Sequence, residues 1–240
     1  MRQVFLSRPW IHQKEPEPLA RIFETYGVQR KLPKGHLFSH GGEQGGVSYL
    51  VKGMAFFSFP DNEDRDRIFA LLPPHRVIGD LDALTEFHLN IVAITARPSE
   101  VLTVSGDLYR REILKDPSLL YLYTRSAIAK EEAHMEGLFA NFTFPLEQRV
   151  IALFSALIGT YYPLKPRGWN PLPLNLTTFE IADIVASNRS TISTIVNGWV
   201  EKGLARRDGR RLVLHGTLFA NEYDWTREVD GPRRARLMEK

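Results

Sequence analysis

Residues 177–203, TTFEIADIVASNRSTISTIVNGWVEKG, constrain this chain more than any other stretch, because they spell two short helices joined by a tight turn. Thr177 followed three residues later by Glu180 is a capping box, in which hydroxyl and carboxylate each satisfy a backbone N–H left free at the helix start. Ile181, Ile184 and Val185 then give one apolar face at helical spacing. Ser187-Asn188 interrupts the pattern, and Asn188 is a good N-cap for a second helix. In that helix Ile192, Ile195, Val196, Trp199 and Val200 fall at i, i+3, i+4, i+7 and i+8, an apolar stripe in full register. Gly203 stands where a C′ glycine ends such a helix. Ala182 and Ala186 are small, and we place them where the two helices cross closely.

The opposite face of the second helix carries Arg189, Ser190, Ser193, Thr194 and Asn197, with Thr178 at the start of the first helix. All can hydrogen-bond and none is a carboxylate. A helix meant only for water usually carries Glu and Lys; short donors and acceptors with one Arg near the start suit a helix entering a major groove. Residues 204–214, LARRDGRRLVL, read as two short strands around the turn Asp208-Gly209. Arg206, Arg207, Arg210 and Arg211 flank that turn. Residues 186–211 carry a net charge of +4, against −1 for residues 1–185, so the basic excess lies on the hairpin and the helix beside it. That is the electrostatic footprint of a phosphate-contacting surface. The pattern is a winged helix–turn–helix.

The rest of the chain reads as a sensor attached to it. A length of 240 residues, 43% of them apolar, suffices for one large or two small domains. No apolar run approaches the roughly 18 residues of a membrane span. The N-terminal stretch has no signal-peptide pattern, and there is no cysteine, so a cytoplasmic protein without membrane attachment is expected. Residues 19–26 suggest a short helix. From Val28 to about Val104 short runs (Leu37-Phe38, Val47–Val51, Met54–Phe59, Ile68–Leu72, Ile91–Ala96, Val101–Val104) alternate with turn signals such as Gly41-Gly42, Gly45-Gly46 and Pro73-Pro74, as in a small sandwich or barrel. Residues 106–116 read as a short helix and about 118–141 as a long one, with a small-sided seam of Leu119, Leu122, Ser126, Ala129 and Ala133. A further amphipathic helix spans 146–162, a Pro-rich connection spans 163–174, and the tail from 222 on is polar.

This order resembles the Crp/Fnr superfamily of bacterial transcription regulators. Pro33-Lys34-Gly35 looks like the family's entry to its barrel, and Gly42-Glu43 with Tyr49-Leu50-Val51-Lys52-Gly53 is similar to its first strand pair. Ile78-Gly79-Asp80-Leu81 looks like its Ile-Gly-Glu-Leu segment, and Glu180-Ile181-Ala182 with Asn188-Arg189-Ser190-Thr191 matches its helix–turn–helix. The resemblance implies an α+β chain: an effector-sensing β-barrel (jelly roll) of the cyclic-nucleotide-binding type over 1–116, a dimerisation helix and hinge over 117–144, and a winged helix–turn–helix over 145–221. It implies a homodimer on a double-stranded DNA operator, RNA polymerase as a partner, and a small-molecule effector between barrel and long helix, near Gly79, Asp80, Leu81, Asn90 and Ile91, with His134 on the helix side.

Two departures shape the expected chemistry. Family members that bind cyclic AMP hold its phosphate with an Arg-Ser pair, where this chain has Asn90-Ile91, and their pocket Glu is here Asp80. Asn90 carries no charge to pair with phosphate, so a neutral or weakly polar effector is expected. Missing cysteines exclude an iron–sulfur cluster; haem stays compatible with the chain, His12, His36, His40, His75, His88 and His134 being the histidines to consider. At the reading helix, Ser190 and Thr194 replace a Glu and an Arg common in the family, so the operator should differ from the family's usual sequence. No Gly-x-Ser-x-Gly, P-loop or His-Glu-x-x-His is present, which argues against an enzyme. The alternative, a sensor module acting through protein contacts alone, leaves the Arg-rich hairpin without a purpose.

Overall fold

The computed structural model describes residues 4–38, 46–62, 66–85, 91–209 and 211–220. The short apolar runs pair as two antiparallel sheets. The first has the order β1-β7-β2-β5, from Val28–Leu32, Ser99–Ser105, Gly46–Lys52 and Val77–Ile78. The second has the order β4-β3-β6, from Asp66–Leu72, Ala55–Pro60 and Val92–Thr95. An apolar cluster of Ala55, Phe57, Ala70, Leu72, Ile78 and Ala93 joins the two sheets, with Phe38, Phe69 and Ile91 packed against it. The architecture is jelly-roll-like; among the described residues the sheets stay open rather than closing into one barrel. β1 is not among the expected runs, since its residues are almost all exposed and show no burial alternation.

Helices cover the first sheet. α1 (Glu17–Tyr26) and α3 (Gly106–Leu114) bury Leu19, Phe23, Tyr109 and Ile113 against Val47, Tyr49 and Val104. The short α2 (Asp80–Thr85) follows β5. The long helix α4 runs Pro117–Thr143, starting on Asp116, whose carboxylate accepts from the Ser118 N–H at 2.8 Å, with Pro117 in the first turn, where its missing N–H costs nothing. Phe144 and Pro145 end it, and α5 (Leu146–Tyr161) begins at once.

Most of the expected seam of α4 is turned onto its own chain. Leu119 and Leu122 pack on the helical side of the first sheet, the Ser126 hydroxyl bonds Glu15, and Ala133 is fully buried. Among the apolar residues α4 shows to solvent, Tyr121, Ile128, Met135 and Phe142, 64%, 55%, 43% and 83% exposed, fall at a strict spacing of seven, with Leu120, Leu138 and Phe139 exposed beside them. Small residues lie where the helix passes closest to its own chain, at Ser126 and Ala133.

The reason for that closeness is the N-terminal segment. Residues 4–15 form a strap between α4 and β4. Trp10 donates its N–H to Ala133 O at 3.0 Å and accepts from Leu71 N at 2.7 Å, and the Phe5 N–H reaches Glu136 at 2.8 Å. Trp10 and Ile11 are 1% exposed. Gly137 is required there, because a Cβ would lie 2.5 Å from the Trp10 ring.

The C-terminal unit consists of α5, α6 (Thr178–Ile184), α7 (Arg189–Glu201) and a three-stranded wing of order β8-β10-β9. β9 (Ala205–Asp208) and β10 (Arg211–His215) are the expected hairpin; β8 (Trp169–Pro171), inside the Pro-rich connection, is an added third strand. One core of Phe154, Leu157, Ile181, Ile192, Val196 and Trp199 fills this unit and continues through Leu71, Met54 and Trp10 into the sheets. Among the described residues no helix is long and apolar enough to cross a membrane.

Candidate nucleic-acid interface and effector site

The helix–turn–helix forms as its caps dictate. The Thr177 hydroxyl accepts from Glu180 N at 3.2 Å, and the Glu180 carboxylate accepts from Thr177 N at 2.7 Å. Asn188 caps α7, its side-chain oxygen accepting from the Thr191 N–H at 2.9 Å and from the Ser190 and Thr191 hydroxyls. Gly203 takes φ +68° just past the helix end. Ala182 is buried as expected, but Ala186 is not at a crossing: it is exposed and sits in the interhelical turn at φ +52°, a left-handed conformation that costs an alanine roughly 1–2 kcal/mol.

The outer face of α7 is open to solvent. Arg189, Ser190, Thr194 and Asn197 are exposed, and Ser193 and Thr178 partly so. The Thr194 hydroxyl bonds back to Ser190 O at 3.1 Å, and the Arg189 guanidinium lies 4.9 Å over the Phe179 ring. Val200, counted in the apolar stripe, is 39% exposed, so the buried face is narrower than its spacing suggested. Two contacts hold the end of α6 to the long-helix hinge: Asn141 donates to Ile184 O at 2.9 Å, and Arg149 donates to Val185 O at 3.2 Å and Phe144 O at 2.7 Å.

On the wing, Asp208 is still in the ladder, paired with Arg211, so the turn begins one position later than expected, at Gly209, which takes φ +58°. Cross-strand register puts Arg206 beside Val213, and Arg211 lies on that same face, while Arg207 faces Leu212 on the other. Arg206 stacks 4.3 Å over Trp169, which β8 brings to the hairpin. Arg210 lies outside the described residues.

The effector-side residues fall into two groups. Asp80, 4% exposed, is paired with Lys130 of α4 at 2.7 Å, and Lys130 also meets Glu15 of the strap at 3.1 Å. Burial by itself lowers the Lys130 pKa, but Asp80 and Glu15 more than offset it and hold it above the ordinary lysine value. Gly79 takes φ +85°, with Gly46 O 3.0 Å from where a Cβ would stand, so backbone passes backbone there. Leu81 and Ile91 are partly buried, Ile91 against the Phe38, Phe57 and Phe69 cluster. Asn90, His40 and His88 lie outside the described residues, as do Gly41-Gly42, Glu43 and the tail from 221 on.

His134 does face the sheets, edge-on to Phe57 and Phe69. Its Nε2 is already engaged, 2.6 Å from Nε2 of His12, and its Nδ1 lies 3.3 Å from Glu131. His12 is 2% exposed; burial, then the neighbouring His134, Lys130 and Arg76, hold its pKa well below the usual histidine value. His75 bonds the Tyr49 hydroxyl at 2.8 Å, and the His36 ring lies edge-on to Phe38. A haem would therefore have to displace the strap to reach His134.

Three elements of this site were not read from the sequence: Lys130, the strap, and Arg97, whose guanidinium grips Glu180. Lys130 had a signal, since it lies in register with Ser126, Ala133, Gly137 and Ala140 on the inward face of α4. The strap had none beyond the apolar Phe5, Trp10 and Ile11.

No family model matches the chain. The chain is similar to the cAMP-activated global transcriptional regulator CRP of Haemophilus influenzae, 21% identical over 207 residues, covering 83% of this chain and 89% of that protein. It is similar to the cyclic AMP receptor protein of Thermus thermophilus, 24% identical over 200 residues, covering 82% and 88%. Among solved structures, a transcriptional regulator of the CRP/FNR family, also from Thermus thermophilus, superposes with a TM-score of 0.60 at 18% identity, covering 78% of this chain and 93% of that one.

Proposed function

We propose that this chain, a DNA-binding transcription regulator of the Crp/Fnr type, works in the cytoplasm as a homodimer on a near-palindromic operator, under the control of a small molecule other than cyclic AMP. The observation that carries the DNA reading is the exposed, carboxylate-free face of α7 beside the Arg-bearing wing. Arg189 is the base-reading residue, suited to guanine O6 and N7 once it leaves Phe179. Ser190, Ser193, Thr194, Asn197 and Thr178 supply short contacts to bases and phosphates, and Arg206, Arg207, Arg210 and Arg211 supply phosphate contacts. The dimer seam is the outward row Tyr121, Ile128, Met135 and Phe142, whose spacing of seven keeps one stripe facing a parallel partner. By family resemblance RNA polymerase is the further partner.

The effector lies between the sheets and α4, near Gly79, Asp80, Leu81, Ile91 and His134, with Asn90 assigned to it by family resemblance alone. Two features favour a neutral or weakly polar molecule. The acidic group of the site is neutralised by Lys130, and its sheet side is aromatic and aliphatic. Such a ligand acts only by binding one arrangement of α4, strap and DNA-binding unit more tightly than another. Calorimetry on the full chain tests this: cyclic AMP should not bind below about 1 mM, weaker than about −4 kcal/mol. Tight cyclic AMP binding that also strengthens the DNA complex would overturn the effector reading. A gel shift on the DNA upstream of the protein's own gene tests the operator, with half-sites expected about 10 bp apart. Failure to prefer that DNA over random sequence would count against it.

A further inference from the structure

The strap and the far end of α5 enclose two adjoining hollows. The smaller, about 420 Å³, is bounded by Gln13, Lys14 and Arg76 among others, and the larger, about 810 Å³, by Ser155, Tyr161, Tyr162 and Leu164 among others. Arg8 and Thr160 line both, so the two hollows are neighbours. Together the linings hold Arg8, Lys14, Arg76 and Arg167 and no carboxylate.

Arg76 is the built part of this cleft. It is 6% exposed and is fixed by two backbone carbonyls, donating from Nε to His12 O at 2.8 Å and from Nη1 to Pro74 O at 2.5 Å. Among the described residues neither Arg76 nor Lys14 forms an ion pair. Glu15 acts on Arg76 through space, but its carboxylate is held by Lys130. Burial lowers the Arg76 pKa to about 10, which leaves it charged at neutral pH. A buried cation without its own counter-charge is costly, and an anion would relieve that cost. Beside the larger hollow, Ser155, 1% exposed, and Tyr162 each have a buried hydroxyl with no hydrogen-bond partner among the described residues.

We propose that this cleft binds a small amphipathic anion, a carboxylate or phosphate monoester with an apolar body. The charged head pairs with Arg76 and Lys14, and the body lies against Tyr161, Tyr162 and Leu164. The site joins the strap, which is bonded to β4 and α4, to α5 of the DNA-binding unit. A ligand there favours the arrangement in which strap and α5 are packed together. The site is separate from the position between the sheets and α4, so it stands or falls independently of the effector reading.

Calorimetry on the full chain with phenylacetate, phenyl phosphate, inorganic phosphate and benzyl alcohol tests it. We expect phenylacetate, phenyl phosphate or both to bind with a Kd below about 1 mM, and benzyl alcohol to bind at least about tenfold more weakly. The better of the two anions identifies the head group, and either result supports the site. Lys14→Glu, an exposed change outside every hydrogen bond described, should weaken binding at least about tenfold, as should Arg76→Gln in protein that keeps its circular dichroism. No binding of either anion, binding insensitive to Lys14→Glu, inorganic phosphate binding as tightly as phenyl phosphate, or loss of binding on Ile91→Ala instead would each overturn the proposal.

Discussion

Arg97 and Glu180 stand 83 residues apart in the chain and form a two-pronged ion pair, Nη1 to Oε1 at 2.5 Å and Nη2 to Oε2 at 2.8 Å. Arg97 follows β6 in the sensor unit, and Glu180 is the capping-box carboxylate of α6 in the DNA-binding unit. Arg97 also donates to Asn175 O at 2.7 Å. One carboxylate thus starts the helix–turn–helix and ties it to the sheets. Arg97→Ala should remove only the tie, costing about 1–2 kcal/mol since the pair is partly exposed. Glu180→Ala should cost about 1 kcal/mol more, by losing the cap as well. Denaturant unfolding of both variants measures the difference, and equal losses would mean that the cap contributes nothing.

The same pair sets an acid limit. Burial would raise the Glu180 pKa, but the bonds from Arg97 and Thr177 outweigh it and hold the pKa below the usual 4.5. A carboxylate depressed in the folded state contributes stability that is full above its unfolded pKa and is lost as pH falls through the folded value. Below about pH 4.5 the wild type should therefore lose its advantage over Arg97→Ala. A gap that stays constant down to pH 3 would contradict this.

His12 should give a second pH dependence at a milder pH. It is neutral in the fold because burial, His134, Lys130 and Arg76 all disfavour its charge. The unfolded chain binds this proton near pH 6.5 and the folded chain does not, so stability should fall as pH drops below about 6.5. His12→Gln should flatten that slope in thermal unfolding between pH 7 and pH 5. The same slope in both proteins would show that His12 is not its source.

The outward row of α4 should control assembly. Ile128→Glu places a charge in the middle of the row and should shift the protein to monomer in sedimentation velocity without altering its helix content. Ala133→Leu acts on the other face: it should crowd Trp10 and destabilise the fold by about 1–3 kcal/mol while leaving the oligomeric state unchanged. The opposite pattern would return the seam to the small residues.

Ala186→Gly should stabilise the protein by about 0.5–1 kcal/mol, because glycine takes φ +52° without strain. The gain should appear in unfolding midpoints, and a loss would mean that the alanine methyl makes a contact worth more than its strain.

Wing and helix arginines should separate in DNA binding. Arg206→Ala should weaken all sequences about equally and lower the salt slope by about 1, whereas Arg189→Ala should cost about 1–3 kcal/mol and relax preference at one base. Arg207, on the opposite face of the hairpin, should matter less than Arg206 and Arg211 if one face meets the DNA. Wing variants that change the preferred sequence at constant salt slope would reverse these roles.

The winged helix–turn–helix was legible in the sequence because its signals are local. Thr177 and Glu180, Asn188 and Thr191, and the Ile192–Val196–Trp199 row each act within one or two turns of helix, where spacing dictates geometry. Most strands between Val47 and Val104 were legible for the same reason, as apolar runs between turn residues. What the tertiary structure alone decided is which side of each element has a neighbour. Ser126 and Ala133 are small enough for a partner helix, but the strap took that side of α4 and left Tyr121, Ile128, Met135 and Phe142 outside. Lys130 reads as a solvated charge until Asp80 and Glu15, 50 and 115 residues away, close around it. Arg97 gives no sign of Glu180, and Arg76 none of the cleft it lines. Side-chain spacing along a helix or strand follows from bond geometry, whereas burial and charge pairing depend on which distant segment packs there.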